Sequence, residues 1–214
     1  MIWQAGKKSI DLGARTLVMG ILNITPDSFS DAGQYFDEDD AVSRGKQMLK
    51  DGADILDIGG ESSRPGSEAV PESEELRRVV PVIDRLNSET GAVISVDTTK
   101  ARVAEEAVKA GASIINDISA MRFDPSMAAI AGRTGAGLVL MHMKGTLADM
   151  QKDPVYGDLM GEVTEFLKAR GGEAVRAGVR PESIVYDPGI GFGKTVRHNL
   201  QLINRLGDLK SVLG

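Results

Sequence analysis

Residues 92–118, AVISVDTTKARVAEEAVKAGASIINDI, carry the pattern that decides the fold. A nearly unbroken apolar run from Ala92 ends in the carboxylate of Asp97. An amphipathic stretch over 100–112 follows and is punctuated by Gly111, and a second apolar run, Ile114 to Ile118, comes after it. Strands solvated on one face alternate apolar with polar side chains, whereas strands covered on both faces read as continuous apolar runs, so the segment predicts a β-α-β unit with parallel strands.

Working outward, the same kind of run recurs at 17–24 (LVMGILNI), 55–60 (ILDIGG), 137–143 (GLVLMHM) and 184–190 (IVYDPGI). The stretches 39–52 (DDAVSRGKQMLKDG) and 71–91 (PESEELRRVVPVIDRLNSETG) read as helices, with aspartate or proline at the start and glycine at the end. The interval 144–183 reads as a loop followed by a long helix. Serial βα units with right-handed crossovers form either an open doubly wound sheet or a closed eightfold barrel. An open sheet concentrates its functional side chains at one switch point, while a barrel collects them from many strand ends. Here the runs end in Asn23, Glu61, Asp97, Asn116 with Asp117, His142 and Asp187. The reading is therefore an α/β, TIM-type (βα)8 barrel of which about six βα units lie in residues 1–214, as a single domain. Trp3 and Ile10 around Gly6-Lys7 predict a hairpin closing the amino-terminal mouth.

Composition narrows the function. With 214 residues, 42% of them hydrophobic, the chain can build one large core. The net charge of −6 and the lack of a basic run argue against a nucleic-acid surface. There are no cysteines, which removes disulfides, thiolate metal sites and a cysteine nucleophile. No apolar run approaches the roughly 20 residues of a membrane span, and the N-terminal stretch has no signal-peptide core, so a cytoplasmic protein is expected. Arg64, Lys100, Lys144 and Lys194 lie just beyond apolar segments, where they could gather into an anion site. With His142 and His198 as its two histidines the chain offers no histidine-based metal set, and His142 reads as a supporting residue. Gly189, Gly191, Gly193 and Lys194 look superficially like a phosphate loop, but Pro188 stands where that motif needs glycine. Arg77, Arg78 and Glu72 to Glu75 read as a solvated helical face.

Three stretches carry a resemblance: NITPDSFSD at 23–31, GGESSRPG at 59–66 and DPGIGFGK at 187–194. Together with SVDT at 95–98 and IND at 115–117, they resemble the signatures of the dihydropteroate synthase family, in register from 17 to 214. The resemblance implies condensation of 6-hydroxymethyl-7,8-dihydropterin pyrophosphate with 4-aminobenzoate, with Mg²⁺, in folate synthesis, and competition by sulfonamide mimics of aminobenzoate. It also implies a homodimer, formed in the family through late helices. The runner-up functions are a methyltetrahydrofolate-type methyltransferase domain, which the first two loop motifs disfavour, and a non-catalytic pterin-binding relative.

The implied site is specific. Asp187 suits the forked pair of N–H donors on a pterin edge. Asn116 offers a donor and an acceptor to the mixed edge, and Asp97 takes a further ring N–H. Ile118, Met141 and Phe192 wall the ring, Phe29, Asp31, Ser63, Arg64 and Pro65 line the aminobenzoate pocket, and Asn23 ligates Mg²⁺ beside the pyrophosphate. The blander readings are that Asp97, Asn116 and Asp187 cap the following helices, that Asn23 is a turn residue, and that the apolar residues are ordinary core. Glu61 is either a support or a base. The family's seventh- and eighth-strand segments, with their Ser-Arg-Lys and Arg-x-His sequences, find no matching positions here. The chain is accordingly expected to lack its last two βα units, and to bind pterins weakly and turn over little product alone.

Overall fold

The structure is a computed structural model that describes residues 1–25, 37–62, 67 and 69–214. The leading segment forms the expected hairpin, β1 (Ile2–Ala5) and β2 (Lys8–Asp11), with Trp3 paired to Ile10. The apolar runs become β3 (Met19–Asn23), β4 (Ile55–Gly59), β5 (Val93–Asp97), β6 (Ile114–Asp117), β7 (Gly137–Met141) and β8 (Ile184–Asp187). Between and after them lie α1 (Glu38–Lys50), α2 (Glu72–Thr90), α3 (Ala101–Ala110), α4 (Met127–Thr134), α5 (Leu159–Arg176), α6 (Val196–Asn204) and α7 (Leu206–Leu213).

The six long-range strands pair in parallel in the order β3-β4-β5-β6-β7-β8. Spatial order follows chain order without reversal, which is the barrel arrangement; a doubly wound sheet reverses at its switch point. Each strand presents one side to the helices and the other to the barrel interior, as the two-residue period requires. Leu56, Ile58, Ile94, Val96, Ile115, Leu138 and Leu140 pack outward against Val79, Val82, Ile83 and Leu86 of α2 and Ala104 and Ala107 of α3. Inside, Ile55, Ile114 and Val139 meet Trp3, Ala5 and Ile10 of the hairpin, which plugs the amino-terminal mouth. The Trp3 indole N–H donates to Ser183 O at 2.9 Å, so the plug is polar-satisfied as well as apolar.

Helix ends follow local chemistry. Asp37 caps α1 by accepting from Asp39 N at 2.8 Å, and α2 stops at Gly91, whose φ of 63° is one that glycine adopts cheaply. The closing helical stretch is not one helix: it breaks at Arg205 into α6 and α7. Between β1, β8 and α7 runs an apolar groove of ≈ 620 Å³, lined in part by Trp3, Leu167, Tyr186, Leu209 and Leu213. No described helix is long and apolar enough to cross a membrane.

One expectation fails on α2. Glu75 and Arg78 are buried, at 1% and 8% exposure, not part of a solvated face. Three residues apart on a helix, they share the side turned to the sheet. There Arg78 donates to Gly60 O at 2.8 Å, and the Glu75 carboxylate takes the Lys100 ammonium.

Candidate active site

Strand register builds the site. The pairings Asn23–Gly59, Gly59–Asp97 and Asp97–Asn116 place four residues in one interior row at or near the carboxyl ends of β3 to β6. Closer to the mouth, Met141 pairs with Asp187. Glycine at 59 matters to this row: a Cβ there would lie 3.5 Å from both Asn23 Oδ1 and Asp97 Oδ2. The missing side chain leaves a gap bordered by two oxygens.

The apolar members gather beside the row. Ile118 and Met141 cluster with Met143 and Met150, and Phe192 packs against them. A cavity of ≈ 60 Å³ is lined by Glu61, Glu75, Asp97, Thr98 and Ile118, among others, tying Asp97 to the same wall. Asp97, Asn116, Ile118, Met141, Asp187 and Phe192 thus share one end of the barrel, with Asn23 on the row. Phe29, Asp31, Ser63, Arg64 and Pro65 lie outside the described residues.

Electrostatics separates the carboxylates. Burial pushes Asp97 well above the usual carboxylate range, and the charges of Asp57, Glu75, Asp117 and Glu61 push the same way. Asp187 is also raised by burial, partly offset by the Gly189 N–H that its Oδ1 accepts at 2.7 Å and by Lys194. Asp117 does other work. It accepts Ser119 N at 2.8 Å and Met121 N at 2.7 Å, holding a turn in which Ala120 and Met121 have φ of 52° and 64°. Two successive non-glycine residues in the left-handed region are costly, and the buried carboxylate is what holds them there.

Three of the four basic residues proposed for an anion cluster are already engaged. Lys100 is clamped between Glu61 and Glu75. Lys144 reaches Val155 O at 2.6 Å and Glu162 at 2.9 Å. Lys194 is buried and donates to Phe192 O at 2.9 Å and His142 O at 3.2 Å. The fourth, Arg64, lies outside the described residues. His142 Nδ1 sits 3.0 Å from the Lys194 ammonium, and burial first, then Lys194, pulls its pKa down to about 3. The ring is neutral at pH 7, with Nδ1 as acceptor. His198 closes a capping box with Thr195 at the start of α6.

The loop after β8 is fixed by a close approach. Gly189 has φ of 70°, and a Cβ there would lie 2.0 Å from His142 O. Gly189→Ala is therefore expected to cost roughly 2–4 kcal/mol, strain and clash together. Urea denaturation checks this, and a variant as stable as the parent would contradict it.

Two residues that matter here were not singled out by sequence. Asp57 lies two register positions below the row, in the next inward-facing pair, opposite Ser95, and its Oδ2 accepts the Asn116 amide N–H at 2.9 Å. Glu75 anchors Lys100 from beneath. An acid inside the otherwise apolar run ILDIGG was the available signal for Asp57.

Comparison with known proteins supplies the family. A family model described as pterin binding enzyme matches residues 19–214. The dihydropteroate synthase of Bacillus subtilis (strain 168) is 52% identical over 200 residues, covering 94% of this chain and 67% of that protein. The solved structure of Xanthomonas albilineans dihydropteroate synthase with 4-aminobenzoic acid has a TM-score of 0.90 at 44% identity, over 99% of this chain and 74% of that one. A second structure of the enzyme from that organism, in complex with 7,8-dihydropteroate, gives 0.86 at 41% identity, with coverage of 99% and 74%. The six-stranded barrel order, the interior row and these relatives lead to one conclusion: the chain belongs to the dihydropteroate synthase family of pterin binding enzymes.

Proposed function

We propose that this chain binds 6-hydroxymethyl-7,8-dihydropterin pyrophosphate at the row and joins it to 4-aminobenzoate, giving 7,8-dihydropteroate and pyrophosphate. The observation that carries the reading is the meeting of Asp97, Asn116 and Asp187 with the Ile118, Met141 and Phe192 wall at one barrel mouth. A flat ring with N–H donors along its edge needs acceptors on one side and apolar faces on the other, and this mouth supplies both. The C–O bond to pyrophosphate breaks next to an electron-rich ring that delocalises the positive charge. The aromatic amine then adds to that carbon and loses a proton. For this sequence the protein needs positioning and electrostatics, not a covalent nucleophile. Mixing stoichiometric protein with pterin pyrophosphate and 4-aminobenzoate tests it: pyrophosphate and 7,8-dihydropteroate are expected to appear in equal amounts. Pterin binding with no such release would reduce the chain to a binding protein.

Mg²⁺ fits the residues present. Asn23 Oδ1 borders the gap over Gly59 together with Asp97 Oδ2, and the Asn23 amide has no hydrogen-bond partner among the described residues. A hard cation that keeps most of its waters needs few protein oxygens. Asn23 would hold the ion, which when bound neutralises charge on the departing pyrophosphate. Asn23→Ala is expected to weaken Mg²⁺-dependent pyrophosphate binding on the order of tenfold, about 1.4 kcal/mol, with a smaller effect on a bare pterin. Equal losses for both ligands would mean a general structural role.

The raised carboxylates give the binding a pH signature. Protonated Asp97 and Asp187 present an O–H where the ring N–H needs an acceptor, so pterin affinity should be low in acid. It should climb as pH rises through their elevated pKa values, above the ordinary carboxylate range. Binding then releases protons, which titration in two buffers of different ionisation enthalpy measures. Buffer-independent heats would contradict it.

A further inference from the structure

Asp57 poses a problem that the catalytic reading leaves unsolved. It is 4% exposed inside the barrel, and among the described residues no lysine, arginine or histidine forms an ion pair with it. Its Oδ1 is buried and makes no hydrogen bond of good geometry; the Ser95 hydroxyl, paired opposite on β5, comes near enough to favour the charged form but does not close a bond. A carboxylate in such a place is expensive, and an apolar residue would cost less. What it does is accept the Asn116 Nδ2 hydrogen at 2.9 Å, reaching from β4 past β5 to β6.

We infer that Asp57 is a positioning residue for pterin recognition, acting through Asn116: it fixes which end of the Asn116 carboxamide faces the bound ring. The inference rests on the site reading above. The two ends of a carboxamide have nearly the same shape, so packing alone barely distinguishes them. A carboxylate does distinguish them, because it only accepts. It therefore draws in the nitrogen end and leaves Oδ1 on the other side of the amide. That oxygen has no partner among the described residues and is not a buried atom. It is thus available to a ring N–H one row above Asp57, next to Asp97. A reversed amide would set N–H against ring N–H. Asp57 itself sits below the row, so its effect is on the Asn116 rotamer rather than on the reacting atoms.

The test is a double-mutant cycle on this chain, read as pterin affinity by calorimetry and as stability by urea denaturation. Asp57→Asn keeps the shape but offers Asn116 either an oxygen or a nitrogen, so the orientation is no longer enforced. Affinity is expected to fall about tenfold, while stability stays level or rises because a buried charge has gone. A purely structural role would not lower affinity at equal or greater stability. In an Asn116→Ala background, Asp57→Asn is expected to change affinity no further. A full additional loss in that background would overturn the inference while leaving the site reading in place. If Asn116→Ala alone left affinity unchanged, both would fall. Asp57→Ser, which also lacks an acceptor-only group, supplies the same comparison if the asparagine variant folds poorly.

Discussion

Asp187→Asn is expected to weaken pterin binding by about 100-fold or more while leaving the fold in place. Asp187 ends β8 opposite Met141, and its Oδ1 already accepts the Gly189 N–H. The remaining lone pairs are what a forked pair of ring donors would use. Hydrogen bonds to a charged acceptor contribute roughly 1.5–3 kcal/mol each, so losing the charge across two of them costs about 3 kcal/mol or more. The amide that replaces it keeps one oxygen for Gly189 and turns a donor toward the ring. Stability should hardly fall, because burial already disfavours the carboxylate. Calorimetry with a pterin, alongside circular dichroism, reads both halves. A folded variant with unchanged affinity would remove Asp187 from its assigned role.

Acid should destabilise the chain through His142. Its folded pKa of about 3 lies below the ordinary 6.5, so the folded state resists a proton that the unfolded chain accepts. The stabilisation is full above pH 6.5 and is lost as pH falls toward 3, by linkage about 3 kcal/mol between pH 7 and pH 4. The groups facing the ring agree in sign: Lys194, Arg122 and Lys144 all oppose a second positive charge. Asp57, Asp97, Asp117 and Asp187 act in the opposite direction, since their raised pKa values favour the folded state as acid protonates them. The clean readout is therefore a difference. The stability of wild type minus that of His142→Gln should shrink by about 3 kcal/mol from pH 7 to pH 4, and a pH-independent difference would contradict the assignment.

How far the sequence reaches can be judged residue by residue. The barrel was legible because continuous apolar runs and polar strand ends are local patterns, and the hairpin because Trp3 and Ile10 flank a turn within a few residues. Asp97, Asn116 and Asp187 were legible as strand ends, and the register that aligns Asp97 with Asn116 follows from parallel pairing. What was hidden depends on partners far along the chain. Lys100 looks free until α2 folds Glu75 beneath it, and Lys194 until its loop returns to His142. Glu75 and Arg78 sit in a charge-rich stretch whose composition suggests solvent, while their helical phase turns them inward. Asp57 was concealed in an apolar run because its role is defined by Asn116, two strands away.

The most direct test of the account is a crystal structure of this chain with a bound pterin. The ring edge should lie within hydrogen-bonding distance of Asp187 and Asn116, with its faces against Met141, Ile118 and Phe192. A pterin seated instead in the apolar groove between the hairpin and α7, with the Asp97–Asn116 row empty, would contradict it.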